Sequence, residues 1–453
     1  GCWTHCRRRF VNAIKAAQKD LSEEELKNSG LSEDELKQVT VVMVEEGRHA
    51  LALLSAARFD HPAKKLVMIG VTGTKGKTTT THMIRAILLA AGKKVGMIGT
   101  TGTVIGDVVT PTLNTTPESY ELHQAFAQMV EAGCEYAVME VSSQGIKMHR
   151  TDGLYFNYAI FTNISPDHIG PGEHADFEEY LYYKTRLLNM CGIGLVNKDD
   201  EHAPQIIKAA NCELYTYSEE SKEADFVASD IRYVSQPDFV GTEFHISGKY
   251  DMEVRLGIPG LFNVVNALAA VSVCSFLGLD QARISHALEN IRVNGRMEIV
   301  YTSERCTVLV DYAHNAVSME SLLSTLRDYK PKRLVCVFGC GGNRSKDRRY
   351  SMGEIGGKMA DLSIITADNS RYEKVEDIIA DIRGSIEKTG GKFIEIPDRR
   401  EAIRYSILHA QPGDMVAVIG KGHEDYQEIN GVRHHFLDRE VIEETVKELG
   451  EKA

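Results

Sequence analysis

The feature that most restricts the fold of this chain is a glycine- and threonine-rich segment, GVTGTKGKTTTT, at residues 70–81. It begins at the end of the β-prone run LVMIGV and continues into a helical stretch, about residues 77–91, whose apolar side chains recur on one face. A strand, a glycine-rich turn and a helix in this order predict a phosphate-binding loop, because glycine lets backbone N–H groups approach phosphate oxygens and the helix N-terminus favours negative charge. In such a loop Lys77 neutralises phosphate and the Thr78 hydroxyl ligates Mg²⁺. The segment departs from the general pattern at Val71, where that pattern has glycine.

The alternation of β-prone and helical stretches predicts an α/β fold. After residue 66 the β runs LVMIGV, KVGMIG, YAVMEV and YAIFTNI alternate with helical segments, which is typical of a parallel sheet covered on both faces. Between about residues 212 and 256, short alternating runs predict a small antiparallel sheet. From about residue 295 a second series, TVLVDY, RLVCVFG, DLSIITAD, KFIEI and DMVAVIG, predicts a second parallel sheet.

Composition narrows the classes of partner and compartment. The 453 residues leave room for about two to four domains. With 52 basic and 64 acidic residues, the net charge of -12 disfavours nucleic acid and anionic membrane as partners. No stretch reaches the roughly 18 apolar residues of a membrane span. The nine cysteines, and an opening without the apolar core of a secretory signal, predict a protein of the reducing cytoplasm.

Polar residues follow several of the β runs, at the edge where open α/β sheets bind their ligands. Glu140 lies at the end of YAVMEV and Ser142 directly after it, while Asn163 lies at the end of YAIFTNI and Asp167 and His168 follow it. A hydroxyl, a carboxylate and phosphate oxygens together suit a hard cation such as Mg²⁺. We therefore expect nucleotide chemistry at this edge.

Four loops of the second half have a similar character. VDYAHN (310–315), GCGGNRSKDRR (339–349), TADNSRYE (366–373) and IGKGHEDYQ (419–427) each follow a β run and are rich in glycine and charged residues. Each loop alone is compatible with a solvated turn. Four of them at one end of one sheet favour a second ligand crevice.

In series, these motifs resemble those of the Mur ligase family of peptidoglycan synthesis, most closely the members that add an amino acid to a UDP-N-acetylmuramoyl dipeptide. The resemblance covers about residues 39–453 and keeps the family's order through GTKGKTTT, NTTPES, EVSSQG, TNISPDHIG, YYKTRLL, FNVVNALAA, NGRMEIV, DYAHN, GCGGNR, DNSR and GKGHEDYQ. It implies a shortened uridine-nucleotide region at residues 1–64, a central ATPase domain at 65–294 and a C-terminal Rossmann-like domain at 295–453. It also implies a monomer that binds small-molecule substrates.

The resemblance implies an ATP-dependent amide ligase that phosphorylates a peptide carboxylate, so that an amino group then displaces phosphate. The ATP contacts carried over by motif are Gly73, Thr74, Lys75, Gly76, Lys77, Thr78, Thr79, Asn263, Asn266, Arg296, Asp311 and His314. Two Mg²⁺ ions would be held by Thr78, Glu140, His168 and Lys184, the lysine that the family carbamoylates with CO₂. Lys77, Lys184, His168 and Glu140 are the implied catalytic residues. Without the resemblance, Lys184 would be taken for an exposed helix lysine.

The resemblance also implies which residues bind the two organic substrates. The muramoyl dipeptide would contact Asn114, Thr115, Thr116, Ser142 and Arg150, and the incoming amino acid would contact Arg349, Asp368, Asn369, Arg371, Gly420 and Glu424. DNSR resembles the DNPR motif of ligases that select meso-diaminopimelate, so Arg371 is expected to pair with the distal carboxylate of that substrate.

Several positions depart from the family pattern. Only about 64 residues precede the ATPase domain, and Lys75, Gln144 and Ser370 stand where the family usually has asparagine, histidine and proline. Two alternatives therefore stay open: a ligase of the same fold acting on another carboxylate, such as a γ-glutamyl chain, and a partner-binding relative that has lost catalysis. The retained phosphate and metal residues argue against the second alternative.

Overall fold

The computed structural model describes residues 44–450, and within them the chain divides into two compact units. The first unit contains the described residues up to Thr74 together with Lys94–Gly194 and Lys208–Glu213. The second contains Lys75–Lys93, Leu195–Ile207 and the described residues from Leu214 onward. The domain boundaries expected after residues 64 and 294 do not coincide with the borders of these two units, and they remain predictions. Most of the expected N-terminal region lies outside the described residues.

The secondary structure alternates as expected for an α/β fold. The elements up to residue 209 are α1 Gly47–Arg58, β1 Val67–Thr72, α2 Lys77–Ala90, β2 Val95–Gly99, β3 Gly102–Ile105, β4 Val108–Thr110, α3 Ser119–Glu131, β5 Tyr136–Glu140, α4 Ser143–Lys147, β6 Phe156–Phe161, α5 Phe177–Thr185, β7 Cys191–Asn197 and α6 Ala203–Ala209. Two 3₁₀ turns, Pro62–Lys65 and Arg186–Asn189, complete this half.

The remaining elements form the later half of the chain. They are β8 Glu213–Ser218, β9 Phe226–Gln236, β10 Phe239–Gly248, β11 Met252–Leu256, α7 Leu261–Phe276, α8 Gln281–Glu289, β12 Glu298–Thr302, β13 Cys306–Asp311, α9 Ala316–Asp328, β14 Arg333–Phe338, α10 Lys346–Met359, β15 Leu362–Ile365, α11 Val375–Thr389, β16 Phe393–Glu395, α12 Arg399–Leu408, β17 Asp414–Ile419, β18 Tyr426–Ile429, β19 Val432–His435 and α13 Asp438–Glu448. None of the described helices is both long enough and apolar enough to cross a membrane.

The sheet of the first unit confirms the predicted parallel arrangement. Its strands lie in the order β6-β1-β5-β2-β3-β4, and β1 pairs in parallel with both β5 and β6, as β2 does with β5. β3 and β4 extend the sheet as antiparallel hairpin strands. The central strands are continuously buried, as expected for strands with both faces covered. Because β1, β5 and β6 run in the same direction, their carboxyl ends meet at one edge of the sheet.

The second unit contains the predicted antiparallel strands, which do not form a small sheet of their own, and a second sheet that is mainly parallel. β9, β10 and β11 pair antiparallel, whereas β8 joins β9 in parallel through a short register. The other sheet has the order β12-β13-β17-β14-β15-β16, and all its strands are parallel except β12. The four glycine-rich and charged loops of the second half follow the carboxyl ends of β13, β14, β15 and β17. The fold therefore gathers these loops at one edge, as their positions in the sequence predicted.

Candidate active site

The first half of the predicted phosphate-binding loop (residues 70–81, the phosphate loop) contacts the chain that follows β6. Gly73 has φ +142°, and a Cβ there would lie 1.9 Å from Thr162 Oγ1 and 3.0 Å from the Asn163 carbonyl oxygen. Thr74 N–H donates to that same carbonyl at 2.9 Å. The Thr74 hydroxyl lies 3.0 Å from the hydroxyl of Tyr180 on α5. Glycine is required at residue 73 because both the backbone conformation and the space exclude a side chain.

Lys184 is buried on α5, contrary to what its sequence context alone suggests. Its Nζ donates to the Gly73 carbonyl oxygen at 2.6 Å and lies 4.6 Å from the centroid of the Tyr180 ring. Tyr180 and Lys184 are four residues apart and share one helix face, so the aromatic ring covers the lysine stem and head. The structure thus brings Lys184 to the start of the phosphate loop, 111 residues away in sequence.

The second half of the loop belongs to the second unit and packs on α7. Gly76, the N-cap of α2, has φ +85°, and a Cβ on it would lie 2.4 Å from Asn266 Oδ1. The Thr80 hydroxyl donates to the same Asn266 oxygen at 3.4 Å. Asn266 Nδ2 in turn donates to Asn263 Oδ1 at 3.2 Å, and Asn263 Nδ2 donates to the Pro259 carbonyl at 2.7 Å. Both asparagines are therefore buried polar residues beside the loop, and Lys77, Thr78 and Thr79 form the first turn of α2.

Glu140 ends β5 as a buried carboxylate whose two oxygens are both held. Thr100 N–H donates to Oε1 at 2.9 Å, and the Thr100 hydroxyl donates to Oε2 at 3.2 Å. A Cβ on Gly99 would lie 2.3 Å from Glu140 Oε1, so the glycine leaves room for the carboxylate. Sequence reasoning found Glu140 but missed Thr100, although Thr100 and Thr101 directly follow the run KVGMIG.

Three of the residues expected to bind the acceptor, Thr116, Ser142 and Arg150, form one hydrogen-bonded network. The buried Thr116 hydroxyl donates to the Glu140 carbonyl at 3.0 Å and accepts from Ser142 N–H at 2.9 Å. Arg150 Nη1 donates to the Thr116 carbonyl at 3.1 Å, and its Nη2 pairs with Glu118 Oε1 at 3.0 Å. Asn114 is exposed, and the Thr115 hydroxyl lies 3.1 Å from that of Thr100.

Two histidines follow β6 in very different environments. His168 is 53% exposed, adopts φ +53° and has its Nδ1 3.1 Å from Glu173 Oε1. His174 is fully buried, and its Nε2 lies 2.9 Å from the hydroxyl of Ser143 at the start of α4. Burial lowers the pKa of His174 below its ordinary value. His168, with Asn163 and Asp167, was found from the sequence, whereas His174 was not.

In the second unit, the motifs DNSR and GKGHED meet around a buried lysine. Lys421 Nζ donates to Asn369 Oδ1 at 3.1 Å and to Glu424 Oε2 at 3.2 Å, and it lies 4.0 Å from Asp368 Oδ1. Asn369 Nδ2 also donates to Glu424 Oε2, at 2.9 Å. Gly420, at φ +112°, lies beside Asp368, whose Oδ2 would be 2.9 Å from a Cβ there. The sequence reasoning quoted this motif but left Lys421 out of the candidate residues.

The two arginines expected to contact the amino acid differ in their surroundings. Arg371 is partly exposed, with Nη1 donating to the Gly342 carbonyl at 2.7 Å and Nε 3.6 Å from Glu428 Oε2. Arg349 is buried, and its Nη1 donates to Asp381 at 2.9 Å while Nη2 reaches both oxygens of Glu373 at 2.8 Å. The described contacts of Arg349 are thus with carboxylates of the protein itself.

A second buried arginine supports both motif-bearing loops. Arg399, the first residue of α12, pairs through Nε and Nη2 with both carboxylate oxygens of Asp438 at 2.7 Å. Arg399 Nη1 and Nη2 also donate to the carbonyls of Ala367 and Ile419, at 3.2 and 3.0 Å. These carbonyls immediately precede Asp368 and Gly420, so the arginine ties together the strand ends that carry the candidate residues.

Further expected nucleotide contacts lie near β13. Arg296 lies over the Tyr312 ring, 4.7 Å from its centroid, and the His423 ring lies 5.2 Å from Tyr312. Asp311 accepts from Met297 N–H and Ala313 N–H at 2.8 Å, and burial raises the pKa of Asp311. His314 Nδ1 lies 2.8 Å from the Tyr312 carbonyl oxygen.

A glycine-rich loop between a parallel strand and a helix, with a buried carboxylate at a neighbouring strand end, is typical of nucleotide-dependent α/β enzymes. Residues 71–274 match the Mur ligase middle domain, and residues 295–422 match the Mur ligase glutamate ligase domain. The chain belongs to the Mur ligase family and is an ATP-dependent, ADP-forming amide ligase. ATP and Mg²⁺ are the cosubstrate and the ion of this family.

Individual relatives agree with this assignment. The UDP-N-acetylmuramoyl-L-alanyl-D-glutamate--2,6-diaminopimelate ligase of Caldanaerobacter subterraneus subsp. tengcongensis is 40% identical over 416 residues, which are 90% of this chain and 84% of the relative. A solved structure of a ligase of the same name is 32% identical, with a TM-score of 0.71 over 92% of this chain and 86% of its own. Folylpolyglutamate synthase of Mycobacterium tuberculosis has a TM-score of 0.62 at 18% identity over 82% of this chain and 92% of its own, and thus shares the fold.

Proposed function

We propose that the chain joins meso-diaminopimelate to the D-glutamate of UDP-N-acetylmuramoyl-L-alanyl-D-glutamate during synthesis of the peptidoglycan precursor. The main support is the 40% identity, over 90% of this chain, to a ligase named for that acceptor and that amino acid. The cluster of Lys421, Asn369, Glu424 and Asp368, with Arg371 nearby in sequence, is a suitable site for an amino acid with several charges.

Lys77 and the loop amides would bind the ATP phosphates, and Thr78 and Glu140 would hold Mg²⁺. The donor set fits the ion, since Glu140 is a buried carboxylate already oriented by Thr100, and Mg²⁺ prefers oxygen ligands. Mg²⁺ supplies charge neutralisation on the phosphate oxygens during phosphoryl transfer. A second ion at His168 is part of the proposal, and the exposure of this side chain is compatible with it.

The protein's own contribution to the first step is to orient the acceptor and stabilise its charge. A carboxylate is a poor electrophile, so its conversion to an acyl phosphate provides a leaving group. Arg150 and the Thr116–Ser142 network would hold the acceptor peptide, because they already form one connected set at the end of β5. Lys77 would stabilise the charge that develops on the transferred phosphoryl group.

Lys184 carries a further part of the proposal, the CO₂-derived carbamate. A carbamate turns a cationic ammonium into an anionic group, and so would orient a metal ion instead of repelling it. The burial of Lys184 beside Gly73 supports a role at the phosphate loop. A lysine carbamate is lost on acidification and unfolding, so NMR of the folded enzyme in isotope-labelled bicarbonate tests the modification. Full activity without a carbamate signal would contradict it.

The second substrate would be recognised by opposite charges at its two ends. Asp368 and Glu424 provide carboxylates for an ammonium group, while Lys421 keeps the net charge of this set low. Arg371 Nη1 is engaged by the Gly342 carbonyl, which positions the guanidinium. A distal carboxylate would then form a charge-assisted hydrogen bond with this guanidinium, worth roughly 1.5 to 3 kcal/mol.

The activity assay compares ADP and phosphate release with the UDP-linked dipeptide and either meso-diaminopimelate or lysine. We expect turnover with diaminopimelate, and a fall of about tenfold or more in kcat/KM for diaminopimelate in Arg371→Ala. Arg383→Ala, at a partly exposed arginine of α11 that pairs with Glu395, is the matched control and should not change kcat/KM. Turnover only with a γ-glutamyl or other non-uridine acceptor would replace the proposed acceptor, and equal kcat/KM in Arg371→Ala and the parent would refute the role of Arg371.

The remaining parts of the proposal concern organisation. We propose the three-domain division at residues 1–64, 65–294 and 295–453, and the matches at 71–274 and 295–422 fall inside the last two. We also propose a monomer that works in the cytoplasm, the compartment of ATP and nucleotide-linked precursors. Light scattering coupled to size-exclusion chromatography tests whether the protein is a monomer.

A further inference from the structure

A cluster of two histidines and one aspartate lies in the first unit, outside all residues assigned to ATP, metal or substrate. His49 lies in the first turn of α1, and His149 and Asp152 lie in the turn between α4 and β6. His49 Nδ1 is 2.6 Å from Asp152 Oδ2, and His149 Nδ1 is 2.7 Å from that same oxygen. The two imidazole rings meet edge to face, with centroids 6.3 Å apart.

The three donor atoms converge on one point from two separate elements. One ligand atom from each of His49, His149 and Asp152 lies within 4.8 Å of the other two. Zn²⁺ binds histidine nitrogen and carboxylate oxygen at about 2.0 to 2.2 Å, so three donors with a small outward adjustment can surround it. The half-exposed side chain of His49 leaves the cluster open to a water molecule as fourth ligand.

The local backbone holds this arrangement in place. His149 adopts φ +55°, and its N–H donates to the Ile146 carbonyl at 3.0 Å, which fixes the turn after α4. Arg48, next to His49, reaches the Met148 carbonyl and Glu118 Oε2, both at 3.4 Å. The first turn of α1 is therefore joined to the 148–152 turn at two neighbouring positions, and the donor atoms do not depend on one flexible segment.

The chemistry of the donors selects the kind of ion. Imidazole nitrogen suits Zn²⁺, Cu²⁺, Ni²⁺ and Co²⁺, whereas Mg²⁺ and Ca²⁺ prefer oxygen ligands. We propose that His49, His149 and Asp152 form a binding site for a divalent transition-metal ion of the Zn²⁺ type. The site links α1 to the turn that carries Arg150 and uses none of the residues proposed for Mg²⁺.

The test is metal binding by the purified full chain after chelator treatment, with Zn²⁺ alone as the probe. We expect one Zn²⁺ per chain by isothermal titration, retained in excess Mg²⁺, and at least about a tenfold weaker affinity in His49→Ala and in His149→Ala. His286→Ala, an exposed histidine on α8, is the matched control and should bind Zn²⁺ like the parent. His49 is exposed, so its variant tests the site even if His149→Ala misfolds.

Cobalt spectroscopy separates this site from the cysteines of the chain. Bound Co²⁺ should show ligand-field absorption without the thiolate-to-cobalt charge-transfer band that a cysteine ligand would add. No Zn²⁺ binding by the parent, unchanged affinity in His49→Ala, or a thiolate band would each overturn the proposal. Because the readout is binding and not turnover, it is independent of the proposed ligase activity.

Discussion

His123 makes the stability of the first unit depend on pH in a predictable direction. It lies on α3 with 1% of its surface exposed, and within the described residues neither of its ring nitrogens has a hydrogen-bond partner. Burial, with a smaller contribution from the charge of His61, lowers the pKa of His123 from 6.5 to about 4. The folded chain therefore binds this proton only at strongly acidic pH, whereas the unfolded chain binds it below about 6.5.

The size of the effect follows from these two values. Above about pH 6.5 the ring is neutral in both the folded and the unfolded chain, and the free energy of unfolding is unaffected. As the pH falls from about 6.5 towards 4, only the unfolded chain binds the proton, so the free energy of unfolding decreases. The difference between the two pKa values corresponds to about 3 kcal/mol when fully expressed, of which about 2 kcal/mol is lost between pH 7 and pH 5.

The perturbation is His123→Leu, which places an apolar side chain beside Phe126 and removes the titration. Urea unfolding followed by circular dichroism at pH 7 and pH 5 gives the free energy of unfolding of parent and variant. We expect the parent to lose about 2 kcal/mol more than the variant over this interval. His286→Leu, on the exposed face of α8, should lose as much as the parent. Equal losses in His123→Leu and the parent would refute the assignment of this pH dependence to His123.

Two further predictions concern residues that hold the candidate site. Gly99→Ala places a Cβ 2.3 Å from Glu140 Oε1, so the carboxylate must move, and we expect ATP turnover to fall about tenfold or more in a folded protein. Gly384→Ala, with open space around its Cβ, should retain full turnover, and equal rates in the two variants would contradict the role of Glu140. Arg399→Met leaves Asp438 buried without its ion-pair partner and should destabilise the protein by about 3 to 5 kcal/mol in urea unfolding. The double variant Arg399→Met/Asp438→Leu should recover most of that loss, and failure to recover would mean that the arginine acts mainly through the Ala367 and Ile419 carbonyls.

Local patterns along the chain were sufficient to predict the helices and strands and the loops that bear the candidate site residues. The glycine-rich segment before α2, the alternation of β runs with helices and the polar residues after β5 and β6 each depend on neighbours in sequence. Glycine at positions 73 and 76, hydroxyls at the start of α2 and a carboxylate at the end of β5 could therefore be predicted. Parallel pairing then gathers strand ends at one edge without further information.

The partners of buried charges could not be predicted in this way, because they come from distant segments. Lys184 looks like an exposed helix lysine until β1 and α5 come together, and its acceptor is 111 residues away. The sequence identifies Arg349 only as a polar residue of a loop motif, whereas in the structure it is buried between Glu373 and Asp381. Asn369 and Lys421 meet only because β15 and β17 end at the same edge.

The sequence by itself thus determined the α/β class, the position of the glycine-rich loop before α2 and the family, since these depend on residue type and local order. Only the tertiary structure decided which charges are buried and what neutralises them. The physical reason is that a charge inside a protein persists only with a partner, and the choice of partner depends on which surfaces the fold brings together. His123 follows the same rule, because burial lowers its pKa so that the ring stays neutral. The His49–Asp152–His149 cluster is likewise assembled only by chain packing.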